Sequence, residues 1–593
     1  MNTIIQKLKI KAVKVLLLTA LPLGGVGGGV LCSCMDLDPK AEIGDNLVWN
    51  KADNFQLFAN QFYGWTRDLQ SGSTYQYGFS DGPHSDFRSD IVCSIIVNPY
   101  NQGTNAIEAT DGNYTTLYKR IYYTNLLLKN AAGFSNQAAI ATPMGEALWF
   151  RAYLHFELVQ LYGDAILLTE PLDMDSERLY QAQDDRGVVI DQCIADLQQA
   201  AELLPETAAD GRVTKDAANA LLSRIALYEG TWQKFHNATV PAGSSAGTRA
   251  KELLTIAKDA ADAVIKAGNY KLFYNDELGN DSYRYMFTLE DAAQCNPANV
   301  GKSANTEYIM TTRHRDGDKL ALNVTHAVTT SNIIWITRKM ANMYLCDDGL
   351  PVDKSPRFGG YSGATTEFQN RDNRMRCNML AQGDIFWDND SKWRTTWTSA
   401  DENSSKTAGV TSGSGYLCKK WAVERKVDDY YESMDYPVIR YAEVLLNYAE
   451  AAYELNENIS DADLDKSLNL VRQRVNKSMP KLSNAFVTTN GLSMREEIRR
   501  ERTVELFMEG FRIDDLKRWA TAVTEMSQPL VGVKITGTWF ETNWTNHGRQ
   551  LDSEGCIILY SDRQWSQKNY LLPLPSDQLQ LNPQLKQNPG WTN

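Results

Sequence analysis

Residues 145–164 read GEALWFRAYLHFELVQLYGD. From Gly145 to Tyr162 no breaker interrupts the run, and it is apolar at nearly every angle around a helical wheel. A surface helix confines its apolar residues to one stripe, so this pattern belongs to a helix buried on all sides. Thr142-Pro143 opens it, because proline lacks only an N–H that the first turn leaves unpaired anyway. Gly163-Asp164 stops it. A helix buried all round needs other helices to cover it.

Working outward, Phe55, Phe58, Phe62 and Trp65 recur at three- and four-residue steps and predict a helix over 54–69. Leu117, Ile121, Asn125 and Leu128 do the same over 114–130. Further helices are expected over 191–204, 214–228, 251–267, 440–455 and 461–475, with Pro205 and Gly211 as breaks. Ser493 and Glu496 have the spacing of a capping box. Helix pairs with small residues at the crossings resemble tetratricopeptide repeats, here with irregular spacing. Between 271 and 435 the composition turns to Gly, Asn, Asp, Ser and Thr, with strand-like runs at 306–312 and 331–337 and a polar loop at 399–415. The expected fold is mostly α: helix pairs form a scaffold, and a loop-rich insertion carries short strands. The expected regions are 34–270, 271–435 and 436–593 of one intertwined domain.

The chain has 593 residues, 43% hydrophobic, and a net charge of −13, enough apolar content for a core and the wrong sign for a nucleic-acid partner. Lys7, Lys9, Lys11 and Lys14 precede an uncharged stretch from Val15 to Val30 that holds Pro22 and five glycines. This is a signal peptide of residues 1–33 rather than a membrane span. Leu31-Cys32-Ser33-Cys34 resembles the lipobox of bacterial lipoproteins, which makes Cys34 the expected lipidated residue. Seven further cysteines are scattered, without CxxC or a His-rich cluster, and read as small core residues. No cofactor is implied; structural calcium on an Asp-rich loop is the one metal left open.

Several blocks carry a family resemblance. They are residues 146–164, GRVTKDAANALL at 211–222, YPVIRYAEVLLNYAEA at 436–451, IRRERTVELFMEGFRIDDLKRW at 498–519, and the ending with LPLP at 572–575 and NPQLKQNPG at 582–590. In this order they resemble the SusD/RagB family. The resemblance implies an outer-membrane, cell-surface lipoprotein. Such a protein captures nutrient, usually glycan, for a SusC-like TonB-dependent transporter, on four tetratricopeptide-like helix pairs. It also leaves two alternatives: an oligopeptide-binding RagB-like protein and a helix-repeat adaptor.

Glu505 and Glu509 lie one turn apart, the spacing of a glycosidase acid/base pair on a helix. Arginines at every turn around them favour an ion-pair lattice, which would keep both carboxylates ionised. Arg151, Arg440 and Glu450 read the same way. No HExxH, GxSxG or GxxxxGK[ST] occurs, and the six histidines are isolated, so no catalytic residue is named. Sugar recognition asks for an aromatic ring under the C–H face of the sugar and polar groups at its hydroxyl rim. The resemblance points to the loop after the first long helix and to the central insertion. The candidates are Tyr77, Asp81 and Arg88 in the first window and Tyr283, Arg313 and Trp335 in the second. Trp387 and Trp393 follow in the polar stretch 386–397.

Overall fold

In the computed structural model the long helices follow one another in space in nearly the order of the chain. The structure describes residues 48–69, 82–209, 211–237, 245–291, 295–315, 324–329, 334–381, 384, 413–424, 431–543 and 548–592. Residues Trp49–Asn593 form one compact unit. After α1 (Ala52–Ala59) come α2 (Gly112–Ala132), α3 (Ala141–Tyr162), α4 (Arg186–Leu203), α5 (Lys215–His236) and α6 (Ala246–Ala267). From α2 to α6 each helix packs on the next, and α6 then takes α7 (Tyr441–Asn456) from the far side of the insertion. α8 (Met494–Glu505) packs on α7, and α9 (Arg512–Arg518) on α5.

The central helix is as the sequence predicts: every residue from Gly145 to Tyr162 is buried. Trp149 shows why polar atoms survive there. Its ring is wholly buried, and its indole N–H donates to the Ala217 carbonyl at 3.1 Å. Gly163 closes α3 with φ +76°, a backbone that favours glycine, and a Cβ there would also press on the Leu571 side chain at 2.8 Å.

Three expectations are corrected. The helix predicted over 54–69 ends early: α1 tightens into a 3₁₀ turn over Asn60–Trp65, and Thr66 is extended. The helix predicted over 461–475 is two short pieces, Asp461–Asp465 and Leu468–Gln473, because Ser467 between them leaves helical geometry. Ser493 caps α8 by accepting from the Glu496 N–H at 3.4 Å, but only this half of the expected capping box is present.

Short antiparallel pairs fasten the insertion to both ends of the chain. β1 (Val92–Cys93) pairs with β3 (Trp335–Ile336), placing Cys93 opposite Trp335; β2 (Tyr308–Thr312) pairs with β6 (Tyr436–Arg440). β4 (Met379–Leu380) pairs with β5 (Leu417–Cys418), and β7 (Leu530–Lys534) with β8 (Cys556–Tyr560). Among the described residues no helix is long and apolar enough to cross a membrane. The seven described cysteines are buried and unpaired.

Candidate functional site

The early end of the first helix opens a cleft. Thr66 is extended and Arg67 and Asp68 lie outside any helix where one was expected, and the end of β2 pins them. The Thr312 hydroxyl donates to the Arg67 carbonyl at 3.0 Å and meets the Thr66 hydroxyl at 2.9 Å. Opposite, Ser85 caps a turn at Asp86–Arg88, and the Asn101 amide donates to the Phe87 and Ser89 carbonyls at 2.8 and 2.7 Å. Between these segments, the first turns of α2, the Tyr153–Glu157 face of α3 and the turn Met508–Gly510 lies a cavity of about 360 Å³.

Its floor is an ionic network. Arg67 donates to Glu157 from Nε at 3.1 Å and Nη2 at 2.9 Å, and from Nη1 to the Gly510 carbonyl at 3.3 Å. His84 lies between two carboxylates, with Nε2 2.6 Å from Glu157 and Nδ1 2.6 Å from Asp514. Burial alone would raise the Glu157 carboxyl, but Arg67 and His84 outweigh it and hold it well below the usual carboxylate range. Burial is outweighed at Asp514 too, by His84, Lys517 and Arg67. Neither group can supply a proton to a leaving group near neutral pH. Burial pushes Asp86 up to about 7, opposed by the backbone N–H groups around it, and its Oδ1 accepts from the Arg512 N–H at 3.3 Å just after the turn.

The rim differs. Trp65, partly buried, packs its ring on Phe62 at 4.8 Å and carries the Arg120 guanidinium 5.8 Å from its centroid. Asp68, one-third exposed, meets His314 Nε2 at 2.9 Å. Asn113 and Thr116 are exposed on α2 beside them. An aromatic face next to a guanidinium, a carboxylate, an amide and a hydroxyl can hold a sugar ring by its C–H face and its hydroxyls.

The sequence candidates scatter. Tyr283 is fully buried, its hydroxyl donating to the Glu505 carbonyl at 2.7 Å. Trp335 is 5% exposed in β3, packed with Cys93, Leu530 and Tyr560. Neither ring offers a face to a ligand, which corrects the expectation of stacking platforms there. Arg88 lies over the Tyr100 ring at 5.0 Å. Arg313 is exposed and paired with Asp435 at 3.3 Å, next to the His314 that reaches the rim. Tyr77, Asp81, Trp387, Trp393 and Cys34 lie outside the described residues, as does the Asp-rich stretch considered for calcium. Sequence reasoning missed Trp65, Asp68 and Arg120. Gly64, a breaker directly before Trp65, was the signal that the helix would stop and free them.

The carboxylates of Glu505 and Glu509 sit in a buried lattice of cations, although Glu509 belongs to the turn that lines the cleft. Arg440 reaches Glu509 at 2.6 Å and Glu505 and Glu307 at 2.7 Å. Arg374 reaches Glu505 at 2.9 Å, Arg474 binds both Glu505 and Glu307, and Lys420 reaches Glu509 at 2.6 Å. Burial would raise the Glu505 carboxyl, but its three arginines hold it far below the usual range. Arg151 pairs with Asp196 at 2.6 Å and Glu450 with Arg518 at 2.5 Å, so these too are scaffold. Among the described residues no cluster of His, Cys, Asp and Glu is arranged to hold a metal ion.

A family model described as "SusD family" matches residues 292–591. The chain belongs to the SusD family. A second model, "Starch-binding associating with outer membrane", matches residues 45–227. SusD-like protein P25 of Formosa agariphila is 31% identical over 165 residues, a match spanning 23% of this chain and only 30% of that protein. A SusD-like carbohydrate binding protein of Bacteroides fragilis is similar with a TM-score of 0.70 at 22% identity, covering 91% of this chain and 100% of the other. A surface glycan-binding protein A of Bacteroides fluxus is similar with a TM-score of 0.59 at 17% identity, over 91% and 100%. These structural likenesses establish the SusD-like fold. In this SusD-family chain the two matched stretches meet at the cleft: Trp65, Arg120 and Tyr153 come from one, Tyr436, Met508 and Gly510 from the other.

Proposed function

We propose that this chain is a lipid-anchored protein of the outer-membrane surface that binds an oligosaccharide without altering it and passes it to a SusC-like TonB-dependent transporter. The observation that carries the reading is the cleft: Trp65 with Arg120, Asp68 and Asn113 at its rim, above carboxylates locked to cations. Rings and hydrogen-bonding groups recognise a sugar, while Glu157, ionised and paired with Arg67, does no acid/base work on it. The descriptions of the B. fragilis and B. fluxus relatives as carbohydrate- and glycan-binding support the substrate class. The wording of the second family match supports outer-membrane association. The same proposal includes the signal peptide 1–33, the lipid on Cys34, the three regions from 34 to 593, and further ligand contacts from Tyr77, Asp81, Trp387 and Trp393.

The test is titration calorimetry of the full chain in detergent against glycans and peptides chosen from arrays. Trp65→Ala is expected to cost about 1–3 kcal/mol, a roughly five- to more than hundredfold rise in Kd, with helical circular dichroism unchanged. Peptide binding without glycan binding overturns the substrate class. Co-purification with a β-barrel transporter tests delivery, and mass spectrometry of the membrane form tests Cys34.

A further inference from the structure

We propose that the cleft selects oligosaccharides bearing an anionic group, a uronate carboxylate or a sulfate ester, and that Arg120 receives it. This rests on the reading of the cleft as a glycan site and adds the charge of its ligand.

Asn113, Thr116 and Arg120 stand at i, i+3 and i+7 on α2, one face of the helix, and all three line the cleft. Of the two guanidinium groups that line it among the described residues, Arg67 is already committed: Glu157 and the Gly510 carbonyl take its donors. Arg120 has no carboxylate within ion-pair distance among the described residues. Its one hydrogen bond there runs from Nη1 to the Trp65 carbonyl at 3.3 Å. A guanidinium has five N–H donors in a planar fork that fits a carboxylate or sulfate edge with two parallel bonds. Arg120 is half-buried, and that burial already lowers its basicity. A half-desolvated cation that feels Glu157 only at a distance and has no carboxylate in contact is unfavourable, and a bound anion would relieve that imbalance more fully than a neutral hydroxyl. Asp68, the exposed carboxylate of the rim, is bonded to His314. The Trp65 indole beneath the guanidinium then supports the ring that carries the anion.

The experiment measures the full chain in detergent against two matched pairs. One is oligogalacturonate and its carboxyl-reduced form; the other is a sulfated carrageenan oligosaccharide and its desulfated form. A glycan array of acidic and neutral members runs beside them. In at least one pair the acidic member is expected to bind the unaltered protein roughly ten- to a hundredfold tighter, with the difference shrinking as salt rises. Which pair discriminates tells carboxylate from sulfate. Arg120→Gln is expected to bring the acidic member to within about twofold of its neutral partner, and Arg120→Lys to fall between. Acidic and neutral members that bind alike in both pairs overturn the proposal; if Trp65→Ala still weakens both, the glycan reading stands. Absence of binding to any array member overturns both.

Discussion

The indole N–H of Trp421 donates to the Met508 carbonyl at 3.2 Å, and both residues hold left-handed backbones, with φ +72° and +59°. Such a backbone costs a residue with a Cβ about 1–2 kcal/mol. Both are buried, and Lys420 beside them donates to the Phe507 carbonyl at 2.6 Å. The end of the insertion thus grips the turn whose far side, Met508 to Gly510, forms a wall of the cleft. Packing and hydrogen bonds hold the strained turn in place, and the family block that identifies the scaffold also shapes the site.

Trp421→Phe keeps a ring in the pocket and removes the donor. The Met508 carbonyl is left buried without this partner, at about 1–3 kcal/mol. Urea unfolding should show the midpoint falling with the slope unchanged. An unchanged midpoint would mean that the grip contributes nothing.

Glu505→Gln tests the lattice. Arg440, Arg474 and Arg374 all converge on Glu505, and each is about 1% exposed at the side chain. Removing the charge strands cations away from water, and about 3–5 kcal/mol of stability is expected to go. Ligand affinity of the folded fraction should stay the same, measured by calorimetry. Lost affinity with intact stability would place Glu505 in the site.

The central helix was legible because burial on every side writes itself into periodicity: Gly145 to Tyr162 needed no partner to be read. The lattice was legible in kind, since arginines interleave with Glu501, Glu505 and Glu509 along one segment. Its partners Glu307, Arg374 and Lys420 come from distant segments, which no local spacing announces. Tyr283 and Trp335 lie in polar windows, and composition does not say which way a ring points. Tyr283 turns inward to the Glu505 carbonyl, and Trp335 packs behind β1. Trp65 looked like core because its helical spacing was sound up to the residue where the helix stopped.

Asp86→Asn gives a pH signature. Burial raises the Asp86 carboxyl from an ordinary value of 3.8 to about 7, so between those values the folded chain holds a proton that the unfolded chain has lost. Its contribution is therefore fully present below about 3.8 and is lost as pH rises to 7, at most about 4 kcal/mol. Burial lowers His155 from 6.5 to about 4, which tilts much of the same range the other way. The parent's own pH curve mixes the two effects. The difference between Asp86→Asn and parent isolates Asp86, since asparagine does not titrate. Asparagine should gain on the parent by several kcal/mol from pH 4 to pH 8 in urea unfolding. A difference that stays flat would mean that Asp86 titrates near its ordinary value in the fold.

Gly510→Ala separates the cleft from the scaffold. Gly510 has φ +76°, and a Cβ there would lie 2.8 Å from the His84 carbonyl oxygen. That atom is backbone and cannot rotate aside, so either the turn or the segment carrying His84 must shift. Both line the cleft, and Arg67 donates to the Gly510 carbonyl. Gly268 is the control: it ends α6 with φ +70°, the nearest atom to an added Cβ is 3.9 Å away, and it does not line the cleft. Each alanine should lose about 1–2 kcal/mol to the left-handed backbone alone. Only Gly510→Ala should also weaken ligand binding, by roughly tenfold, because a shift of a few tenths of an ångström moves the groups that meet the sugar. Calorimetry on both variants decides it: equal affinities would detach the Met508–Gly510 turn from the site, and equal losses would point to general destabilisation instead of a distorted cleft.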